Sequence, residues 1–411
     1  MLSLRDPIHG FIRADPLEAA LINSRPLQRL RTIHQLGLTF LVFPGAEHSR
    51  FSHVLGAMHL AGKAYDALST RGGGLLPAGE QARERRLARA AALLHDLGHA
   101  PFSHSAEELF SGGIDHEEMT RRMIASPEMA RIFERWGDGI APEDVLRLLS
   151  GGADDANAAN AADAAGGGPV ERLLAQIVSG ELDVDKMDYL LRDSLFCGVR
   201  YGNFDLDRLL ETLLPIADPK TGSLGIGLEE GGVHAVEALV MARYYMFTQV
   251  YFNATGKALE LHLNQWLSEQ GHRWPDTPEA FLDEDDVAVW AAMRRSPSLH
   301  ARAVVDREHF PVAFETREHL SAAEKRGFEA LLPELAHRFG AGNLLVSNSA
   351  KDPHRLRTSR VLVRRYDGSL EPMAEASQFI RHLSRIERFR VYTPKDLRQE
   401  VGAAIRELWG P

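Results

Sequence analysis

Ala91-Ala92-Leu93-Leu94-His95-Asp96-Leu97-Gly98-His99-Ala100-Pro101-Phe102-Ser103-His104 is the stretch that decides how this chain reads. An apolar helical run leads straight into adjacent His95 and Asp96, and two more histidines follow at once. An imidazole beside a carboxylate at the end of a buried helix is half of a site for a hard or borderline divalent metal. Gly98 and Pro101 bend the chain, so His99 and His104 can turn back towards the same place. On a surface such a pair would be an ordinary hydrogen bond. Here Leu93, Leu94 and Leu97 mark buried ground, where an unpaired aspartate is costly.

Working outward, the periodicity predicts a helix over Arg83–Leu97 carrying the pair. Residues 3–13 read as a hairpin around Asp6-Pro7 and His9-Gly10. Helices are expected at Pro16–Asn23 and Arg25–Leu36, a β-rich piece at Thr39–Phe43, and a helix opening at His53 with Ser52 as its cap. Downstream, helices are expected from His116 and over Ala141–Leu149. Gly151–Gly168 is almost only Gly, Ala, Asp and Asn, has nothing to bury, and reads as a flexible insertion. A hairpin is expected at Gly222–Glu229. Arg243 and Tyr251 lie eight residues apart in the long helical region His234–Leu267, and so close to one face. Helices continue from Trp274 to Phe339. Strands follow at Asn343–Ser347, Arg360–Arg364 and Arg388–Tyr392, with a helix at Ala374–Leu383 and another closing the chain. The expected architecture is mainly α: a helical core over 1–270 with short β-hairpins, and a smaller mixed α/β lobe over 271–411.

The chain has 411 residues, 44% of them hydrophobic, enough for one large or two ordinary domains. A net charge of −10 argues against nucleic acid as the main partner, while leaving room for a local basic pocket. A lone cysteine, Cys197, excludes an internal disulfide. With no apolar run of membrane-spanning length and no leader pattern, a soluble cytoplasmic protein with no membrane partner is expected.

Glu181-Leu182-Asp183-Val184-Asp185-Lys186-Met187-Asp188-Tyr189-Leu190-Leu191-Arg192-Asp193 sets four aspartates among apolar residues. Leu182, Val184, Met187, Leu190 and Leu191 require burial, so some of these acids face a cleft with a counter-charge. Residue type alone does not choose among Asp183, Asp185 and Asp188.

These blocks, in this order, resemble the HD-domain deoxynucleoside triphosphate triphosphohydrolases, bacterial and animal. The resemblance runs over most of the chain: Asp6-Pro7-Ile8-His9-Gly10, Gln28-Arg29-Leu30-Arg31, Gln35-Leu36-Gly37, Phe43-Pro44-Gly45-Ala46, Arg50-Phe51-Ser52-His53, the His95–His104 stretch, His116-Glu117 and Asp183–Tyr189. It implies a metal set of His53, His95, Asp96 and Asp185, whose donor types suit iron, manganese, zinc or magnesium. It implies phosphate contacts at Arg50, His99, Lys186, Tyr189 and Arg243. Sugar contacts fall on Gln35, Leu36, Asp193 and Tyr251: Gln35 and Asp193 would bond the 3′-hydroxyl, and Tyr251 with Leu36 would leave no room for a 2′-hydroxyl. His104, set by His116 and Glu107, is the implied acid–base group; Glu107 stands where a relative has aspartate. Asn23 replaces an aspartate that reads guanine in an activating site, beside retained Gln28 and Arg31, and Phe247 and Asn253 replace histidines near the substrate.

The expected activity is hydrolysis of a dNTP to deoxynucleoside and inorganic triphosphate by a metal-dependent homo-oligomer, dimer or tetramer, without strict need of a guanine nucleotide. Two other readings compete: a different HD-type phosphohydrolase, such as a nucleotidase or cyclic-nucleotide phosphodiesterase, and a non-catalytic nucleotide sensor.

Overall fold

The computed structural model describes residues 2–71, 79–103, 109–151, 168–352, 354–356 and 361–409. His104 and Glu107 lie outside the described residues, as does nearly all of the insertion expected at Gly151–Gly168. The fold is mainly α, with sheets of two, four and three strands among the described residues.

The chain opens with an antiparallel hairpin, Leu2–Asp6 paired to Gly10–Ala14. Its turn is closed by Asp6, whose Oδ1 accepts the backbone N–H groups of Ile8 and His9, each at 2.9 Å. Gly10 leaves the turn at φ 74°, a conformation that suits a residue without Cβ. The helix Pro16–Ile22 follows, started by a capping box between Asp15 and Glu18 and ended at Asn23. The helix expected over Arg25–Leu36 is shorter, Arg25–Arg29, and tightens into a 3₁₀ turn at Leu30–Thr32.

Three helices build the centre. Arg50–Arg71 packs along Gln81–Leu94, and Val184–Phe196 crosses Arg50–Arg71. The crossing is close because Gly56 presents no side chain: a Cβ there would fall on the Asp188 carboxylate and stand 2.5 Å from Arg192 Nη2. Around them one continuous apolar core runs from Ile12 to Ile380.

Several expectations are corrected. Thr39–Phe43 is not a strand: Gly37–Leu41 forms a 3₁₀ helix, since Gly37 turns at φ 52° and local bonds such as Thr39 N–H to Leu36 O (3.0 Å) close before any partner strand is met. The helix expected to open at His53 begins at Arg50, so Ser52 lies inside it and its hydroxyl donates back to Ser49 O at 2.8 Å. Between Arg243 and Tyr251 the helix Val233–Met246 gives way to a π-helical turn, Phe247–Tyr251, before Ala254–Glu269 resumes. Helices do not run unbroken from Trp274 to Phe339, because Val312–Glu315 is a strand. The helix expected at Ala374–Leu383 is two short ones, Met373–Ala376 and Gln378–His382.

Leu213–Ala217 and Leu224–Glu229 pair as a hairpin that Leu362–Arg364 and Leu370–Pro372 extend into a four-stranded sheet. A second core lies towards the carboxyl end. There Ile386–Tyr392 is the central strand between Val312–Glu315 and Leu345–Lys351, covered by the helices Ala322–Phe339 and Arg398–Trp409 through Phe328, Leu335, Val401 and Ile405. No helix among the described residues is long and apolar enough to cross a membrane.

Candidate metal centre

His53 enters the site fully buried, one turn into Arg50–Arg71. A carboxylate can only accept, so His53 Nδ1–H donates to Asp188 Oδ2 at 2.9 Å. The Nε2 lone pair is thereby turned to Asp185 Oδ1 at 3.0 Å and Asp96 Oδ2 at 3.9 Å. His95 caps the end of Gln81–Leu94, and its Nδ1–H donates to Ala92 O at 2.8 Å. Its Nε2 faces Asp96 Oδ1 at 3.3 Å and Asp185 Oδ1 at 3.5 Å. Among the described residues neither buried Nε2 atom makes a hydrogen bond.

This arrangement fits a divalent cation. Ligand atoms of His53, His95 and Asp185 all lie within 4.8 Å of one another. Donors sharing one ion at bonds of about 2.1 Å stand roughly 3.0–3.5 Å apart. Each imidazole has its hydrogen committed elsewhere, the state a metal-binding histidine requires. The charges agree. Burial opposes ionisation of Asp185, yet His53 and His95 hold its carboxyl far below the usual range. Burial likewise opposes protonation of His53, yet Asp185 and Asp188 outweigh it and lift that imidazole to about 10. A cluster that draws protons onto buried imidazoles is short of positive charge. Asp96 lies beside this cluster; its Oδ2 is paired with Arg50 Nη1 and its Oδ1 accepts His99 Nε2–H at 3.1 Å.

The acidic helix separates its aspartates by role. Asp183 is the N-cap of Val184–Phe196, accepting Lys186 N–H at 2.8 Å and Gly180 N–H at 2.9 Å. Asp185 faces the imidazoles. Asp188, one turn further, lies behind His53. Nothing in the sequence reading singled out Asp188, Arg192 or His48; the spacing of Asp188 one helical turn from Asp185 and of Arg192 one turn from Asp188 is a signal for those two, whereas His48 meets Asp193 across 145 residues.

Cations gather on one side of this centre. Arg50 Nε donates to Ser103 Oγ at 3.0 Å while its other arm holds Asp96. Lys186 Nζ donates to Gly180 O at 2.8 Å and to Asp183, and Arg243 is near enough to act on it electrostatically. Tyr189, raised to about 12 by burial, also feels Arg243 and Lys186. His99 stacks on His116 at 4.3 Å, and burial with the Arg50 charge lowers it to about 4. The chain leaving His99 is strained: Phe102 and Ser103 take φ of 55° and 58°, unusual without glycine. Asp286 Oδ1 holds it by accepting Phe102 N–H at 2.7 Å, and Ser103 Oγ–H donates to His34 O at 2.9 Å.

On another side Asp193 Oδ2 accepts Tyr251 O–H at 2.7 Å and Oδ1 accepts His48 Nε2–H at 2.8 Å. Gln35 belongs to the segment paired with His48, its N–H bonded to His48 O at 2.9 Å, and its buried Oε1 has no hydrogen-bond partner among the described residues. Leu36 packs against the main core. Phe247 lies 5.1 Å from the Tyr251 ring. Asn253 caps the following helix, accepting Thr255 N–H at 3.0 Å. Asn23 turns back on its own helix, donating to Ala19 O at 2.7 Å, while Arg31 bonds Gln28 Oε1 at 2.9 Å.

Comparison with known proteins is consistent across sequence and structure. The HD domain matches residues 50–193, and the HD associated region matches residues 204–410. The uncharacterized protein YwfO of Bacillus subtilis is 36% identical over 285 residues, 67% of this chain and 59% of YwfO. The deoxynucleoside triphosphate triphosphohydrolase SAMHD1 of Gallus gallus is 37% identical over 227 residues, 51% of this chain and 36% of that protein. The chain thus spans 59% and 36% of these two curated relatives. Among solved structures, a hypothetical protein from Aquifex aeolicus superimposes with a TM-score of 0.80 at 29% identity, covering 98% of this chain and 99% of its own. A phosphohydrolase from Bacteroides thetaiotaomicron gives 0.72 at 26% identity, covering 95% and 99%.

Proposed function

The chain belongs to the HD-domain family, its HD domain followed by the HD associated region, and on that premise we propose that it hydrolyses dNTPs to deoxynucleoside and inorganic triphosphate. The observation that carries this reading is the convergence of the buried Nε2 atoms of His53 and His95 on Asp185, beside Arg50 and Lys186. A divalent cation held by His53, His95, Asp96 and Asp185 supplies Lewis acidity and lowers the pKa of water there.

The chain's own residues do the rest. Arg50, Lys186 and Arg243 neutralise the triphosphate, with Tyr189 as a neutral donor to its oxygens and His99, whose one N–H is held by Asp96, lining the phosphate side. Water attacks the α-phosphorus, the bond from phosphorus to the 5′-oxygen breaks, and His104, set by His116 and Glu107, protonates that oxygen. Gln35 and Asp193 bond the 3′-hydroxyl. Tyr251 and Leu36 close on C2′, where a buried hydroxyl without a partner costs about 1–3 kcal/mol. Asn23 donates to its own helix and lacks the charge that would hold a guanine edge, so a single dNTP suffices and no guanine nucleotide is required. The active form is a homo-oligomer, a dimer or tetramer.

The deciding experiment incubates Mn²⁺-loaded protein, sized by light scattering, with single dNTPs, NTPs and cyclic nucleotides, and separates the products by ion chromatography. Triphosphate and deoxynucleoside are expected from dNTPs, with kcat/KM lower by about tenfold or more for NTPs. Orthophosphate, pyrophosphate or opened cyclic nucleotides as the main products would replace this reading with another phosphohydrolase. Silence on every dNTP until GTP is supplied would overturn the activator independence.

A further inference from the structure

Asp188 is fully buried and takes four donors, filling both of its oxygens. Oδ2 accepts His53 Nδ1–H at 2.9 Å and Arg192 Nε–H at 2.7 Å; Oδ1 accepts Arg192 Nη2–H at 2.9 Å and His9 Nε2–H at 2.7 Å. Arg192, with no exposed surface, spends its remaining arm on Asp6 Oδ2 at 2.9 Å. Asp6 in turn closes the hairpin turn through the N–H groups of Ile8 and His9. The amino-terminal turn and the back of His53 are therefore one buried network, Asp6–Arg192–Asp188–His53, with His9 bridging turn and carboxylate directly.

Such a network has a chemical effect on His53. A carboxylate aimed at Nδ1 fixes the tautomer that leaves Nε2 free and holds the ring plane. Its own position depends on its other partners, because an aspartate at zero exposure cannot be held by water. Arg192 anchors it along the helix, four residues on. His9 is the donor that comes from outside the helical core and from outside the matched HD domain, which begins at residue 50.

We propose that the turn Asp6–Gly10 is a working part of the metal centre, with His9 as a positioning residue that holds Asp188, and through it His53, in the ligand geometry. The inference rests on the metal-site reading above and extends that site to the first ten residues.

The test uses full-length apo protein titrated with Co²⁺, read by calorimetry and by the visible absorption of the bound ion. Wild type, His9→Ala, His9→Gln, Phe11→Ala and His95→Ala are compared, with thermal unfolding recorded for each. Loss of an outer hydrogen-bond partner of a metal-binding histidine typically weakens metal affinity about 10–100-fold. His9→Ala is expected to do this and to alter the absorption bands; its unfolding temperature is expected to fall as well, since a buried carboxylate loses a donor, and His9→Gln separates that loss from the effect on the metal. His9→Gln places an amide N–H near the Nε2 position and is expected to restore affinity and spectrum. Phe11→Ala, at an exposed ring of the same hairpin (62% exposed), is expected to match wild type.

Wild-type affinity and bands in His9→Ala, alongside loss of metal in His95→Ala, would overturn the role of the turn and leave the metal site standing. A loss in His9→Gln as large as in His9→Ala would also overturn it, since the donor to Asp188 would then be irrelevant. A wild-type protein that binds no Co²⁺ would overturn both the metal site and this extension of it.

Discussion

At the scale of the residue, the site depends on side chains that are absent as much as on those present. Gly56 lets the helix Val184–Phe196 approach until Asp188 reaches His53. Gly56→Ala would drive a methyl into the Asp188–Arg192 pair. Overpacking of this kind costs typically about 1–3 kcal/mol, and the displaced carboxylate would release His53. We expect a lower unfolding temperature together with substoichiometric metal by elemental analysis. Full metal occupancy at the wild-type unfolding temperature would show that the helices need not approach so closely. The residue scale is also where the sequence was hardest to read. Asp183, Asp185 and Asp188 share a residue type and lie within six positions of one another. What separates them is tertiary: one caps a helix, one faces the imidazoles, and one is clasped by Arg192. His9 lay inside a quoted motif, but its partner is 179 residues away, and no local pattern reveals that.

At the scale of the element, strong periodicity and good punctuation made the fold legible. The hairpin around Asp6 and Gly10, the helix ending at His95 and the amphipathic helices after Pro169 all follow from local sequence. Val312–Glu315 did not, because four residues carry little pattern and their partner strand Ile386–Tyr392 lies far along the chain. The helix Ala254–Glu269 carries a polar feature of its own. His262 Nε2 accepts Phe310 N–H at 3.1 Å, so its Nδ1–H donates to His300 Nδ1 at 2.8 Å. Burial, with His300 beside it, lowers His262 to about 3. The unfolded chain therefore takes up this proton first on acidification. Stability contributed by His262 is present above its ordinary value near 6.5 and is lost as pH falls towards 3, by at most about 1.4 kcal/mol per pH unit. Metal-free wild type should lose unfolding temperature between pH 7 and pH 5 faster than His262→Gln, which keeps an acceptor for Phe310 and a donor for His300. Parallel pH profiles of the two would refute the assignment.

At the scale of the whole molecule, an acidic chain concentrates its cations where they are needed. The net charge is −10, yet Arg50, Lys186 and Arg243 cluster at the metal centre. The triphosphate proposed as substrate would meet general repulsion and one local attraction, an arrangement that favours selectivity over rate of encounter. The second core around Phe328 and Val391 touches this region through Arg390, whose Nη1 donates to Phe252 O at 2.7 Å, just beyond Tyr251. The Tyr251 side of the site thus borrows rigidity from the carboxyl-terminal sheet.

The buried bond between Asp6 and Arg192 also bears on the order of events during folding. It joins positions 186 residues apart, and His53 meets Asp188 across 135. Closing loops of that length is a late and slow step, whose entropy is lost before the contact rewards it. The turn leaves the ribosome well before Arg192, and Asp6 does not meet that partner until Arg192 has been made and its helix has docked. The ion cannot therefore nucleate the fold; it arrives at a structure already assembled. Refolding from denaturant with and without Mn²⁺ should give the same folding rate, while the loaded protein unfolds more slowly, the behaviour of an interaction absent from the transition state. A folding rate that climbs with Mn²⁺ concentration would place the centre at the start of folding instead.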